Sequence, residues 1–399
     1  MTRMQWSIWI GAILAVSLVS LACNDGPSSS EPTPGETIEE SDVEALRIVE
    51  QIQLAGTEDV IGIADSTSDG GQLLVWVFPR PEVRTGCALL WVVELGGDAS
   101  LIAEDVPVSR PLMTGALFSP EGNEVAYAAA EDCAQSPAAA EATLVVVDVA
   151  GGARREIASD ITSLHVWTSD GRLLFDRGTE DVSLWQADAE GDGEEQLLAE
   201  RVISVSPDGA RSVTKRVGPL LEFRTLGDDE AVETAGVSLE GEAGFAGAGW
   251  SPDSQRYVYF GTGEEGIGGL SVIEIETAET RLLASLEELG DPERATVPRV
   301  LTWSPDSLLL LLQEAASAGQ LGPPLLVVSA ERSEFRELTE GGGAFLDAQW
   351  TEQGGLLLYV DGHDVWVAVM DVGQGDDDLQ SKVEGLKQAF PEPIDLTVE

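Results

Sequence analysis

Short apolar runs recur along this chain, each bounded by a small polar phrase. The clearest stretch runs from Phe245 to Trp250, through Ser251-Pro252-Asp253-Ser254, and into Arg256–Phe260. Leu270–Ile275 follows a Gly/Glu loop, and Thr280–Ala284 ends the unit. These runs are rich in β-branched and aromatic residues and are flanked by Gly, Asp, Pro and Ser, which predicts strands. The polar phrase has a turn mechanism: Ser or Thr bonds local backbone, Pro presets φ, and Asp-Gly closes tightly.

The phrase returns as Ser66-Thr67-Ser68-Asp69-Gly70, Phe118-Ser119-Pro120-Glu121-Gly122, Trp167-Thr168-Ser169-Asp170-Gly171 and Val205-Ser206-Pro207-Asp208-Gly209. Trp303-Ser304-Pro305-Asp306-Ser307 and a degraded Trp350-Thr351-Glu352-Gln353-Gly354 complete the series. A repeat of roughly 40–50 residues marks an array of one supersecondary unit. Four antiparallel strands per unit, repeated radially, predict an all-β chain folded as a seven-bladed β-propeller, with six blades as the alternative. The second unit continues with Glu124–Ala130, Leu144–Val149 and Arg154–Ala158, and the sixth with Leu308–Gln313, Leu325–Ser329 and Glu334–Leu338. The fourth, Arg201–Ala235, is the weakest, because Arg211–Val217 and Leu220–Leu226 barely alternate.

The seventh unit offers Leu356–Val360 and Asp364–Val369 and then lacks its last strand. Leu46–Leu54 or Ile394–Val398 can supply it, with the N-terminal segment preferred. That segment is ambiguous: Ser41-x-x-Glu44 matches a capping box, and Val43, Leu46, Val49 and Ile52 have helical spacing. Leu379–Phe390 reads as one short helix.

The order Trp-Ser-Pro-Asp-Gly, apolar strand, "apolar-x-apolar-Asp/Glu" strand, then "Arg-x-Leu-Thr/Ala" resembles the TolB-type propeller repeat. That repeat also occurs in the propeller domains of prolyl-oligopeptidase-like enzymes. Val145-Val-Val-Asp148-Val-Ala-Gly151-Gly and Arg336-Glu-Leu-Thr339 match it closely, and the resemblance spans roughly residues 59 to 373. It implies a propeller fold and, through TolB, protein partners in the cell envelope. Propellers host many unrelated functions, so it implies little about activity.

The first residues read as an export signal. Arg3 precedes an apolar stretch from Trp6 to Leu21, then Ala22-Cys23. A Cys after the small residue is similar to a bacterial lipobox, with Ser20 and Leu21 as departures. An ordinary signal peptide or a single membrane anchor is the alternative. The polar run that follows Cys23 cannot build a core and acts as a tether. The expected partition is a lipoprotein signal peptide (1–22), a flexible linker (23–43), the propeller (44–373) and an acidic tail (374–399), a short helix or closing strand. Acyl chains such as palmitate on Cys23 then hold a monomeric, extracytoplasmic domain at the cell membrane.

Lipidation of Cys23 leaves Cys87 and Cys133, each after the second strand of adjacent units. In an oxidising compartment a disulfide between them is expected, with two buried thiols as the alternative. Acid dominates the charge, 71 Asp+Glu against 22 Lys+Arg, a formal net charge of −49. Such a field excludes nucleic acid and anionic headgroups as partners. Spread over every unit, the acid fits a solvated surface or a high-salt habitat better than recognition of cations or a basic partner.

Catalytic signatures are lacking. No Gly-x-Ser-x-Gly elbow occurs, Gly236-Val-Ser238-Leu-Glu240 coming nearest. His165, in Ser163-Leu-His-Val-Trp167, is the channel candidate, although a lone strand histidine is more often packed. Asp188, Glu190 and Asp192, alternating before Gly193, resemble the start of a calcium loop, but Ala199 stands where the closing Glu belongs. A solvated turn explains them equally well, and no cofactor is expected beyond that calcium. The expected function is a non-catalytic protein-binding or scaffold module of the cell envelope. The alternative is a propeller whose channel takes a small ligand, sugar or metal, as sensor or enzyme.

Overall fold

The computed structural model describes residues 46–396, apart from 58–59, 79–86, 108–114, 131–141, 152, 179–180, 192, 216–220, 228–230, 233–248, 263–267, 290–298, 314–324, 339–344, 352–354, 362 and 372–375. Cys23 and Cys133 lie outside the described residues, as does Asp192. The unit that carries the fold is Glu40–Glu399.

Strand β1 (Arg47–Gly56) comes first in the chain but joins the last sheet. β2 (Val60–Ser66), β3 (Gln72–Phe78), β4 (Cys87–Glu94) and β5 (Ala99–Pro107) form an antiparallel sheet in chain order. Next come β6 (Ala116–Phe118), β7 (Glu124–Ala129), β8 (Ala142–Asp148), β9 (Arg155–Trp167), β10 (Arg172–Arg177), β11 (Ser183–Asp188) and β12 (Glu195–Leu198), all in one seven-stranded sheet. The fourth repeat is thin: β13 (Ser204–Val205), β14 (Arg211–Lys215), β15 (Leu221–Thr225) and β16 (Ala231–Val232). β17 (Gly249–Trp250), β18 (Arg256–Thr262), β19 (Gly268–Glu274) and β20 (Thr280–Ser285) follow, then a one-turn helix α1 (Leu286–Leu289). β21 (Arg299–Trp303), β22 (Leu309–Gln313), β23 (Leu325–Ser329) and β24 (Phe335–Glu337) make the next sheet. β25 (Phe345–Trp350), β26 (Leu356–Asp361) and β27 (Asp364–Asp371) begin the last.

Five sheets stand as separate blades where the sequence predicts seven. The difference lies in β9. Its 13 residues hold no Gly or Pro, so the outer strand expected at Arg154–Ala158 and the inner strand at Ser163–Trp167 run together. Ile161 pairs both with Ala142 of β8 and with Arg177 of β10.

Closure uses both ends of the unit. β1 lies antiparallel to β27, and β28 (Ile394–Asp395) adds in parallel beyond it, pairing Ala55 with Ile394. Between them α2 (Asp376–Ala389) packs Leu379, Val383 and Leu386 against the last sheet, with Phe390 and Leu396. The C-terminal segment thus supplies a short helix and a closing strand, with Leu379, Val383, Leu386, Phe390 and Leu396 in the core.

Burial is concentrated between sheets. Seven apolar clusters are each built from successive repeats, including one where the seventh repeat meets the first. Trp167, Trp250, Trp303 and Trp350 are each buried at these seams, and the Trp303 indole N–H reaches the Gly249 carbonyl of the preceding repeat. The thin fourth sheet is held by edge-on contacts of Phe223 with Trp250 and Tyr257, centroids 5.8 and 5.3 Å apart.

Candidate functional site

The recurrent turns work through one hydrogen-bond arrangement. Ser206, Ser251 and Ser304 each donate a hydroxyl hydrogen to the Asp two residues on, at 2.5 Å, and accept the N–H of the residue five on at 2.8–2.9 Å. Thr67 does the same with Asp69 and Gln72. The Thr67 hydroxyl and then the Gly71 N–H hold the Asp69 carboxyl below the usual range; at Asp170 the guanidinium of Arg172 acts first and Thr168 second. These carboxylates close turns, and in Asp69, Asp208, Asp253 and Asp306 it is Oδ1 that accepts both the hydroxyl and the backbone N–H.

Where five of the turns converge, they line an open cavity of about 350 Å³. The first repeat contributes Asp65 to Ser68, the second Phe118 to Pro120, the third Trp167 and Ser169, the fourth Pro207, and the seventh Gln349 and Trp350. Asp65 is the only ionisable side chain among these lining residues. A bulge in β2, between Ile63 and Asp65, sets its direction. Its Oδ2 accepts the Phe118 N–H at 2.8 Å, and its Oδ1 accepts the Ser66 N–H at 2.9 Å and the Gln349 side-chain amide at 3.2 Å. Part of the residue faces the cavity, yet the packing around its carboxyl dominates. Burial pushes its pKa up to about 6 against the pull of those three donors.

Sequence reading missed Asp65. One signal was available: two residues before the turn opener, the other repeats carry Leu117, Val166, Ser204, Gly249, Thr302 and Gln349, and only the first carries an acid.

His165 occupies the equivalent bulge of β9, between Leu164 and Val166. It does not line the cavity. Its Nε2 lies 3.3 Å from Oδ2 of Asp176 on β10, and both side chains are nearly buried. Asp188 ends β11 and closes a hairpin turn: its Oδ1 accepts the Glu190 N–H at 2.9 Å, and its carbonyl accepts the Gly191 N–H. Asp148 caps the same turn of the second repeat, its Oδ1 taking the Ala150 N–H at 2.7 Å. Among the described residues no three His, Cys, Asp or Glu side chains are grouped to hold a metal. Cys87 opens β4.

No family model and no curated protein matches the chain. Solved structures do. An oligogalacturonate lyase in complex with manganese aligns at 14% identity and a TM-score of 0.53, over 81% of this chain and 98% of its own. The β-propeller domain of the Trilobed protease from Pyrococcus furiosus aligns at 13% and 0.53, over 77% and 95%. The chain folds as a β-propeller. TolB from Acinetobacter baumannii is a more distant likeness, at 15% and 0.44, over 69% of this chain and 65% of TolB. At such identities the comparison gives the fold and leaves activity to the propeller's own residues. Among the described residues no helix is long and apolar enough to cross a membrane.

Proposed function

We propose that this propeller is a non-catalytic binding module of the cell envelope, TolB-like in repeat, that engages a protein partner at the cavity mouth. Lipidated Cys23 anchors it, the linker of residues 23–43 spaces it from the membrane, and an extracytoplasmic monomer presents the mouth. With the halves of the shared sheet counted separately, it has seven blades, in keeping with the seven inter-sheet clusters. A disulfide between Cys87 and Cys133 ties the first two blades together.

The observation that carries this reading is the cavity itself. Five repeats meet there, and there the repeat is broken by Asp65 and Gln349, whereas the turn residues around it are occupied in holding turns. A small ligand in the same cavity is the competing reading, since 350 Å³ also admits a sugar-sized molecule.

The test places a photo-crosslinking residue at Ser169 in the anchored protein and in Cys23→Ala. Recovery of one envelope protein in stoichiometric yield, dependent on the crosslinker at the mouth and on the anchor, supports the module. Purification with a bound small molecule and no crosslinked protein overturns it. Counting thiols in denaturant before and after reduction tests the bridge; an unchanged count defeats it.

A further inference from the structure

The geometry points to a ligand chemistry for the mouth: we propose that it receives one basic side chain of the partner, a lysine ammonium or arginine guanidinium, on Asp65. This rests on the binding-module reading and specifies its partner.

Asp65 is a carboxylate in a cavity whose other walls are Ser, Thr, Pro, Gln and aromatic residues, so no cation lines the cavity with it among the described residues. Its three hydrogen-bond donors are two backbone N–H groups and an uncharged amide. An ionised carboxylate has about four acceptor sites. Among the described residues three are filled, and Oδ2 accepts the Phe118 N–H alone, leaving acceptor capacity there for a donor entering from the cavity.

The environment favours a charged donor over a neutral one. A carboxylate among packed protein atoms gains more from a cation than an exposed one does, because the local dielectric is low. Its raised pKa reports the same uncompensated burial, which a bound cation relieves. Phe118, Trp167 and Trp350 at the wall suit the aliphatic stem of a basic side chain. The overall charge of −49 draws basic segments toward the surface and repels acidic ones.

The contrast with the other acids makes Asp65 specific. Asp69 and Asp208 belong to turns that line the cavity but are not themselves among its lining residues, and Oδ1 of each is committed to its turn, accepting a hydroxyl and a backbone N–H. Asp65 is the one acid at this position of the repeat, and it lines the cavity beside Gln349.

Calorimetry on the mature chain with N-acetyl-lysinamide, N-acetyl-argininamide and the neutral N-acetyl-norleucinamide tests this, in enough salt to screen the general field. We expect one equivalent of either basic amide to bind and the neutral one not to. Asp65→Asn should weaken binding by about tenfold or more, as loss of a charge-assisted hydrogen bond predicts. Binding to the wild-type protein near pH 6 should release a proton, seen as heat that depends on the buffer, and release should vanish by pH 8. This arm holds even where the variant folds poorly. Equal binding by Asp65→Asn, equal binding of the neutral amide, or no proton release near pH 6 overturns the proposal. A partner crosslinked at Ser169 equally well in wild type and Asp65→Asn removes the basic side chain but keeps the binding module.

Discussion

At the residue scale, neighbouring turns are matched in shape. The turn glycines take positive φ, and a Cβ on Gly122 would sit 2.8 Å from the Thr67 methyl of the preceding repeat. Gly70 meets Thr351 at 2.5 Å, and Gly209 meets Thr168. Where the preceding opener is Ser206 or Ser251, the methyl is missing and the glycine position becomes Ser254 or Ser307. Both serines accept left-handed φ of 59° and 62°, and their hydroxyls accept the N–H of Asp208 and Asp253 across the seam. Gly171, after Ser119, meets nothing within 4 Å, as this rule requires. Gly122→Ser should therefore destabilise the protein by about 2 kcal/mol through overpacking and backbone strain. Adding Thr67→Ser should recover the steric part and leave about 1 kcal/mol of left-handed cost. Chemical denaturation of both variants decides it, and equal losses would refute the matching.

Asp65 also links stability to pH. Its folded pKa of about 6 stands above the 3.8 of the unfolded chain, so between those values the folded state binds more protons. Its protonated form favours folding at low pH, and that contribution is lost as pH rises from about 4 through 6. The stability of wild type relative to Asp65→Asn should fall by roughly 2 kcal/mol across that window, since solvent at the exposed part of the residue screens its charge. Urea unfolding at pH 4, 5, 6 and 7 measures this; a constant difference would remove the linkage.

At the element scale, edges and lengths decide what propensity leaves open. Leu46–Leu54 is equally legible as helix or strand, and the structure resolves it as a strand. The free edge of β27 needs backbone partners, and β1 provides them from Arg47 to Gly56 while burying Ile52 and Leu54 and leaving Val49 exposed. β28 and α2 then cover the outer side. Leu396 is fully buried there, so Leu396→Ala should cost about 2–5 kcal/mol. Thermal unfolding checks this, and an unchanged midpoint would mean the C-terminal segment only rests on the sheet. The repeat units themselves are legible because each carries its own turn signal and apolar run; the fusion within β9 is not, because the chain bends there at Asp160, with a φ of 60°, and no Gly or Pro announces it.

At the scale of the whole molecule, 71 acidic residues against 22 basic ones repel one another in the compact state. Screening should relieve this, since the Debye length falls from about 30 Å at 0.01 M salt to about 10 Å at 0.1 M. The melting temperature should rise by several degrees over that range and then level off. A flat or falling curve would show that ion pairs such as Arg256–Glu274 at 2.8 Å outweigh the repulsion.

The sequence by itself determined the repeat, the strands and the turns, because those follow from local periodicity and from residue types that recur. It also marked Asp188 and Glu190, whose turn geometry is local. Tertiary structure alone decided which sheet β1 completes, which glycine each threonine methyl confronts, and that Asp65, one acid among 71, opens on a cavity built by five repeats. Those properties come from surfaces brought together around a ring, and no window along the chain contains both sides of them.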